Sequence, residues 1–193
     1  DQDTAKAYVE SKIPEIEEGL MQNDITYMAS QWADGIDLGN GNIKHFTADE
    51  LKQEIKSNYL EGYEKPYTGK KINAVEYEAI SDYVDARVSD IYAKKYAQNR
   101  ARILTDADDL FANASANNIP VTKDLLYPYL RDNGMIELDG NGNVISTYGL
   151  DDSTWAELKQ IAENNDKIER ADRWARNPID TNGDSVIDLN DTT

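Results

Sequence analysis

The stretch NAVEYEAISDYVDARVSDIYAKKYAQNRARIL, Asn73 to Leu104, decides the fold class. Its apolar residues Ile80, Tyr83, Val84, Val88, Ile91 and Tyr92 recur three and four positions apart, the spacing that lines one side of a helix with 3.6 residues per turn. Strand-like alternation elsewhere in the chain is short and rare. The spacing predicts one long amphipathic helix inside a mainly α, helical protein.

Upstream, a helix from Thr4 to Met21 would bury a stripe of Ala5, Tyr8, Val9, Ile13, Ile16 and Leu20, with Pro14 predicting a kink or an early break near Lys12. A second helix, Asp24 to Ala33, would bury Ile25, Met28 and Trp32. The run GIDLGNGN (35–42) reads as a glycine-rich turn. Thr47 then opens a helix through a capping box, because Glu50 stands three residues on and can return a bond to the Thr47 amide. EGYEKPYTGKK (61–71) is the linker into the long helix.

Downstream, Thr105 or Asp106 is expected to cap a short helix, and Thr122 to start another through Leu130. MIELDGNGNVIS (135–146) reads as a tight loop between two short extended pieces. Thr154, with Glu157 at the box position, would open a last helix whose apolar side is Trp155, Leu158, Ile161, Ile168, Ala171 and Trp174, interrupted near Asn164 and Asn165. Asn177 and Pro178 stop it. The domains expected are a helical N-terminal lobe, 1–104, ending in the long helix, and a helical C-terminal lobe, 105–193.

Composition narrows the function. The 193 residues carry a net charge of −17, which argues against nucleic acid and anionic membrane as partners, since both require a basic face. No apolar run is long enough to span a bilayer. With no Cys, disulfides, thiolate metal sites and cysteine nucleophiles are excluded, and a single His, His45, leaves zinc or iron sites built on imidazole improbable. The chain opens at Asp1 with no apolar leader, which fits a mature exported protein, extracellular or on the cell surface, or a trimmed chain.

The C-terminal stretch DTNGDSVIDLND (180–191) carries the chemistry. Asp180, Asn182, Asp184, Asp188 and Asp191 fall at positions 1, 3, 5, 9 and 12 of a twelve-residue loop. Calcium takes six to eight oxygen ligands in a flexible cage, and carboxylates or carboxamides on alternate residues can wrap one ion. Val186 at position 7 would add its backbone carbonyl, and Ile187 at position 8 would pin the loop to a core. A polar turn uses the same residue types; five ligands in register plus Ile187 favour the metal. Ser185 at position 6 puts a β-carbon where a sharp turn prefers glycine, at a cost of about 1–2 kcal/mol. Affinity in the range of about 10⁻⁴–10⁻³ M follows.

The stretch resembles the EF-hand loop, and still more the loop of a dockerin repeat, in which position 12 is also Asp. The resemblance implies EF-hand-like helix–loop–helix units. Val144 and Ile187 then stand as the position-8 residues of a pair covering about 120 to 193, with Glu137, Asp139 and Asn141 at positions 1, 3 and 5 of the first loop. Position 12 there is Tyr148, so that loop is distorted or binds no metal, with Asp151 or Asp152 the nearest replacements. A repeat of GNGN at Gly39 and Gly140, and of TADELKQ (47–53) as TWAELKQ (154–160), suggests an internal duplication. At the front, Ile43 and the pair Ile72 and Glu76 occupy the corresponding places without the acidic ligands.

The expected function is a noncatalytic, calcium-binding helical protein, with calcium ordering the C-terminal loop for stability or for binding another protein. A dockerin-like attachment module on a surface or carbohydrate-degrading assembly is the alternative. A third is a calcium-stabilised carboxylate hydrolase acting on polysaccharide. Its signal is diluted by 37 Asp and Glu, among which pairs such as Asp106 with Asp108 or Asp151 with Asp152 arise anywhere. No nucleophile elbow, phosphate loop or HExxH motif is present. Tyr59, Tyr63 and Tyr67, with Tyr127 and Tyr129, offer an aromatic surface, though tyrosines at helix edges more often border a core.

Overall fold

The computed structural model describes residues 2–39, 41–116 and 120–176, with side chains throughout except those of 106–116, 174 and 176. The chain is mainly α, 69% helical, and among the described residues there are five α-helices and two small strand pairs. Two compact units, Asp1–Lys95 and Tyr96–Thr193, divide it inside the long helix.

In the first unit, α1 (Gln2–Trp32) leads into the hairpin of β1 (Ile36–Asp37) and β2 (Ile43–Lys44), then α2 (Ala48–Ile55), which runs on as a π-helical turn, Lys56–Leu60. The long helix α3 (Ala74–Ala116) follows. The strands pair antiparallel, Ile36 opposite Lys44 and Asp37 opposite Ile43. Thr47 caps α2 with both bonds of the box: its Oγ1 accepts from the Glu50 amide, and Glu50 Oε2 accepts from the Thr47 amide at 2.8 Å. Met21, Ile25 and Ala29 of α1, Phe46, Leu51, Ile55 and Leu60, and Ile80, Val84, Val88 and Tyr92 of α3 are buried. The Tyr92 hydroxyl donates to the Phe46 carbonyl at 2.6 Å, giving the one polar atom of that ring a buried partner.

In the second unit, α4 (Lys123–Asp132), β3 (Glu137–Leu138), β4 (Val144–Ser146) and α5 (Asp152–Arg176) repeat the order helix, hairpin, helix. The core is Ile103, Val121, Leu126, Leu130, Met135, Ile136, Leu150, Leu158 and Ala162. The chain crosses itself closely at Gly149, whose amide donates to the Met135 carbonyl at 2.9 Å while Asn99 Nδ2 donates to the Gly149 carbonyl at 2.7 Å. A β-carbon on Gly149 would lie 2.7 Å from Met135 Cα and 2.9 Å from the Gly134 carbonyl oxygen. The repeated GNGN runs therefore share a role, each lying between the two strands of a hairpin. TADELKQ and TWAELKQ do not: Thr47 is an N-cap, whereas Thr154 sits within α5 and is buried.

Several expectations are corrected. The break between Met21 and Asp24 does not occur. Met21, Ile25 and Ala29 continue one buried line at four-residue steps across it, and the Asp24 carboxylate accepts from the Tyr59 hydroxyl at 2.9 Å instead of capping a new helix. Pro14 is carried inside α1 between good helix formers. The stripe expected to be buried faces out: Tyr8 is 66% exposed, Val9 59%, Ile16 46% and Leu20 39%. No new helix starts at Thr105 or Asp106, because α3 continues through them and the Thr105 hydroxyl bonds back to the Ala101 carbonyl. The last helix opens at Asp151, not Thr154, and runs unbroken past Asn164 and Asn165; Ile161 and Ile168 on its expected apolar side are exposed.

Gly149→Ala is expected to lower unfolding free energy by about 1–3 kcal/mol through forced backbone displacement. Gly140→Ala, where an added β-carbon meets nothing within 4 Å, should stay within about 0.5 kcal/mol of the parent. Urea denaturation followed by circular dichroism checks both.

Candidate functional site

The expected calcium ligands Asp180, Asn182, Asp184, Val186, Asp188 and Asp191 lie outside the described residues, as does Ile187; so does the side chain of Trp174. Described in full are the start and anchorage of α5, the helix that precedes them in the chain, and the partner loop at 137–148.

Asp151 starts α5. Its Oδ1 accepts from the Thr154 amide at 2.9 Å and its Oδ2 from the Thr154 hydroxyl at 2.8 Å. An N-cap carboxylate satisfies an amide left over at a helix start and meets the positive end of the helix dipole. Those bonds, with the positive charge of Arg100 as a smaller contribution, hold the Asp151 carboxyl below its ordinary value of 3.8. One turn further in, Trp155 packs on Tyr127 with ring centroids 5.6 Å apart. Asn165 Nδ2 donates to the Val121 carbonyl at 3.1 Å, and the Lys123 amide to Asp166 at 3.2 Å. Beyond these clamps Lys167, Ile168, Arg170, Ala171, Asp172 and Arg173 are exposed.

The loop between β3 and β4 is organised around Asp139. Its Oδ1 accepts from the amides of Asn141 and Asn143, each at 2.8 Å, and its Oδ2 from Asn143 Nδ2 at 2.9 Å. The same bonds, led by the Asn143 side chain, lower its pKa. Its lone pairs are thus engaged by the loop's own donors. Leu138 pairs with Val144 across the hairpin. Tyr148, at position 12 of the EF-hand-like register, is buried with its phenol pKa raised by desolvation. Asp151 is engaged as the α5 cap, and Asp152 is exposed in the first turn. Glu137, Asp139 and Asn141 do not converge with either, and among the described residues no group of three or more His, Cys, Asp or Glu is placed to hold a metal ion.

The remaining candidates have structural partners. His45 lies between β2 and α2, half-buried, at a shallow groove of about 440 Å³ whose acidic wall includes Glu50 and Glu54. Glu50 belongs to the capping box, and Glu54 pairs with Lys44 at 3.0 Å while that ammonium sits 4.5 Å over the Phe46 ring. The Tyr59 and Tyr63 rings pack tilted at 47° with centroids 5.1 Å apart, and burial, then the bond to Asp24, raises the Tyr59 phenol. Glu76, placed at the end of a front loop by the sequence register, bonds the Asn73 amide at the start of α3 and pairs with Lys65. The side chains of Asp106 and Asp108 lie outside the described residues.

Glu17 went unnoticed in the sequence. It is 2% exposed, and its carboxylate accepts from the amides of Tyr67 and Thr68 and from the Thr68 hydroxyl. It pins the 65–70 turn to α1. Nothing in its neighbourhood marks it, because six acids share that helix; only its four-residue step to Met21 aligns it with the buried line.

No family model, curated protein or solved structure matches the chain.

Asp151→Ala should lower stability at neutral pH by about 1 kcal/mol, the usual cost of a lost cap. A carboxyl lowered in the folded state stabilises fully above its unfolded value and ceases to do so as pH falls through the folded one. Parent and variant are therefore expected to differ in urea midpoint at pH 7 and to converge in solution well below pH 3.8.

Proposed function

We propose that this is a noncatalytic calcium-binding protein in which one Ca²⁺ ion orders the segment after α5. The observation that carries the reading is the register of the last stretch: Asp180, Asn182, Asp184 and Asp188 at positions 1, 3, 5 and 9, Asp191 at 12, and an aliphatic residue at position 8. In metal-free protein the four carboxylates repel one another; the ion cancels that repulsion, and its binding energy orders the loop. The Val186 carbonyl and water complete the shell that a cation of this size requires.

The likeness of the loop to dockerin and EF-hand loops supports calcium over magnesium, whose demand for near-ideal octahedral geometry such a flexible loop meets poorly. Ser185 in place of glycine and Asp191 in place of the bidentate Glu both weaken the cage. An affinity of about 10⁻⁴–10⁻³ M suits extracellular rather than cytosolic calcium. The proposed location is accordingly outside the cytosol. An ordered tail then serves stability or presents a surface to another protein.

Calorimetric titration of CaCl₂ into chelator-treated protein is expected to show one ion per chain. The Asp180→Ala, Asp184→Ala double variant should give no heat of binding, since both ligands come from the proposed cage. Absence of heat from the parent at millimolar calcium, or undiminished binding by the variant, would reject the proposal.

A further inference from the structure

One dipeptide recurs in this chain that carries chemistry of its own. Asn followed by Gly occurs at 40–41, 133–134, 141–142 and 182–183. In such a pair the glycine nitrogen can attack the asparagine side-chain carbonyl carbon, because glycine has no β-carbon to crowd the approach. Asn40 and Asn182 lie outside the described residues. Asn133–Gly134 and Asn141–Gly142 are both described, both belong to the second unit, and their surroundings differ.

Asn133 is locked. It ends α4 half-buried, with Nδ2 donating to the Tyr129 carbonyl at 2.9 Å and its main-chain amide to the same oxygen at 3.1 Å. Gly134 donates to the Arg131 carbonyl at 2.9 Å, and the next residue, Met135, is fully buried with its amide on the Leu130 carbonyl. The Gly134 carbonyl lies against Gly149 where the two segments of chain cross. Swinging the carboxamide over the next nitrogen breaks the Nδ2 bond and displaces a backbone step wedged at the core. Unfolding of the unit is needed for that.

Asn141 is not held in this way. It stands at the tip of the β3–β4 hairpin, exposed together with Gly142 and Asn143. Its main-chain amide is bonded to Asp139 Oδ1, while its carboxamide makes no hydrogen bond among the described residues. The attacking nitrogen, that of Gly142, is restrained by Asp139 alone, through the carbonyl at 3.0 Å and more weakly through the carboxylate. Opening the tip at Asp139 releases it, and a tip with few buried contacts opens at low cost. From this contrast we infer that Asn141 is a site of spontaneous covalent modification in the folded protein, through a succinimide that loosens the hairpin, and that Asn133 is protected.

The reaction balances with water as the one co-reactant. Gly142 N bonds to Asn141 Cγ, the Cγ–Nδ2 bond breaks, and ammonia leaves with the amide proton. Water then opens the ring at one of its two carbonyls. Opening at Cγ restores the ordinary main chain with aspartate at 141; opening at the main-chain carbonyl leaves isoaspartate, with the chain routed through Cγ. Either product adds a negative charge to a chain at −17, beside an Asp139 whose oxygens are already engaged. Isoaspartate also inserts a methylene into the ring closed by Gly142 and Asp139. The turn bond then cannot re-form in its present register, in a two-stranded unit that is marginal by itself.

The test is ageing of the full chain in warm, mildly alkaline buffer, with EGTA present so that the calcium reading plays no part, beside the same chain in urea. Tandem mass spectrometry of the digest locates each lost amide, and labelling by isoaspartyl methyltransferase separates isoaspartate from aspartate. In urea the two sites should react at similar rates. In the folded chain Asn141 is expected to convert within about tenfold of its rate in urea. Asn133 should convert at least about 1,000-fold more slowly than in urea, since it waits on global unfolding. The isoaspartate fraction is expected to melt below Asn141→Asp, a variant that carries the added charge without the added methylene. Asn133 reacting as fast as Asn141 in the folded chain, Asn141 protected as strongly as Asn133, or an isoaspartate fraction that melts with Asn141→Asp would overturn the inference.

Discussion

The second unit depends on a backbone crossing that only glycine permits. Where Gly149 passes Met135, the space for a β-carbon is already taken by main chain, and the two strands of chain exchange a hydrogen bond there. That crossing closes the hairpin of β3 and β4, sets Met135, Ile136 and Leu150 together in the core, and delivers the chain to Asp151 for the start of α5. The first unit has a counterpart at Gly35, whose positive φ of 111° and near contact with Ile43 tie the end of α1 to β2. The short β3–β4 hairpin is held by Leu138 and Val144 packed against the core as well as by its own ladder.

Acidity shapes what is left over. The chain manages many of its carboxylates locally, as caps at Glu50, Glu76 and Asp151, as the hub of a loop at Asp139, or as a buried clasp at Glu17. Each accepts backbone amides that would otherwise go unpaired, so the charge contributes to structure and is not available to a ligand. In 180–191 the oxygen-bearing residues Asp180, Asn182 and Asp184 alternate, and Asp188 and Asp191 follow at positions 9 and 12 of the same register. The hairpin at 137–148 has the same alternation at Glu137, Asp139 and Asn141, but Asp139 is engaged by its own loop and Tyr148 stands at position 12, so the calcium proposal rests on the last stretch.

Much of the fold was legible in the amino-acid order. The four-residue steps of Ile80, Val84, Val88 and Tyr92, the capping box at Thr47, and the turn chemistry of the two GNGN runs are local signals, and the structure realises each of them. The last loop's ligand register is equally local and is read from the sequence alone. Helix ends were less legible. Thr105 and Thr154 look like caps in isolation, but a hydroxyl can bond within a running helix as well as start one, and the choice falls to the packing of the neighbouring turns.

Periodicity fixed which residues of α1 share a face; it could not say which face the rest of the molecule would cover. Val9, Ile16 and Leu20 satisfy the rule for a buried stripe as well as Met21, Ile25 and Ala29 do, and they differ only in what lies opposite. Tertiary structure settled that by laying α2 against one line and by clasping Glu17 to a turn fifty residues away. The physical reason is that hydrophobic burial is non-directional. A sequence states which surfaces gain by leaving water, while the partner that removes them is chosen by contacts distant along the chain.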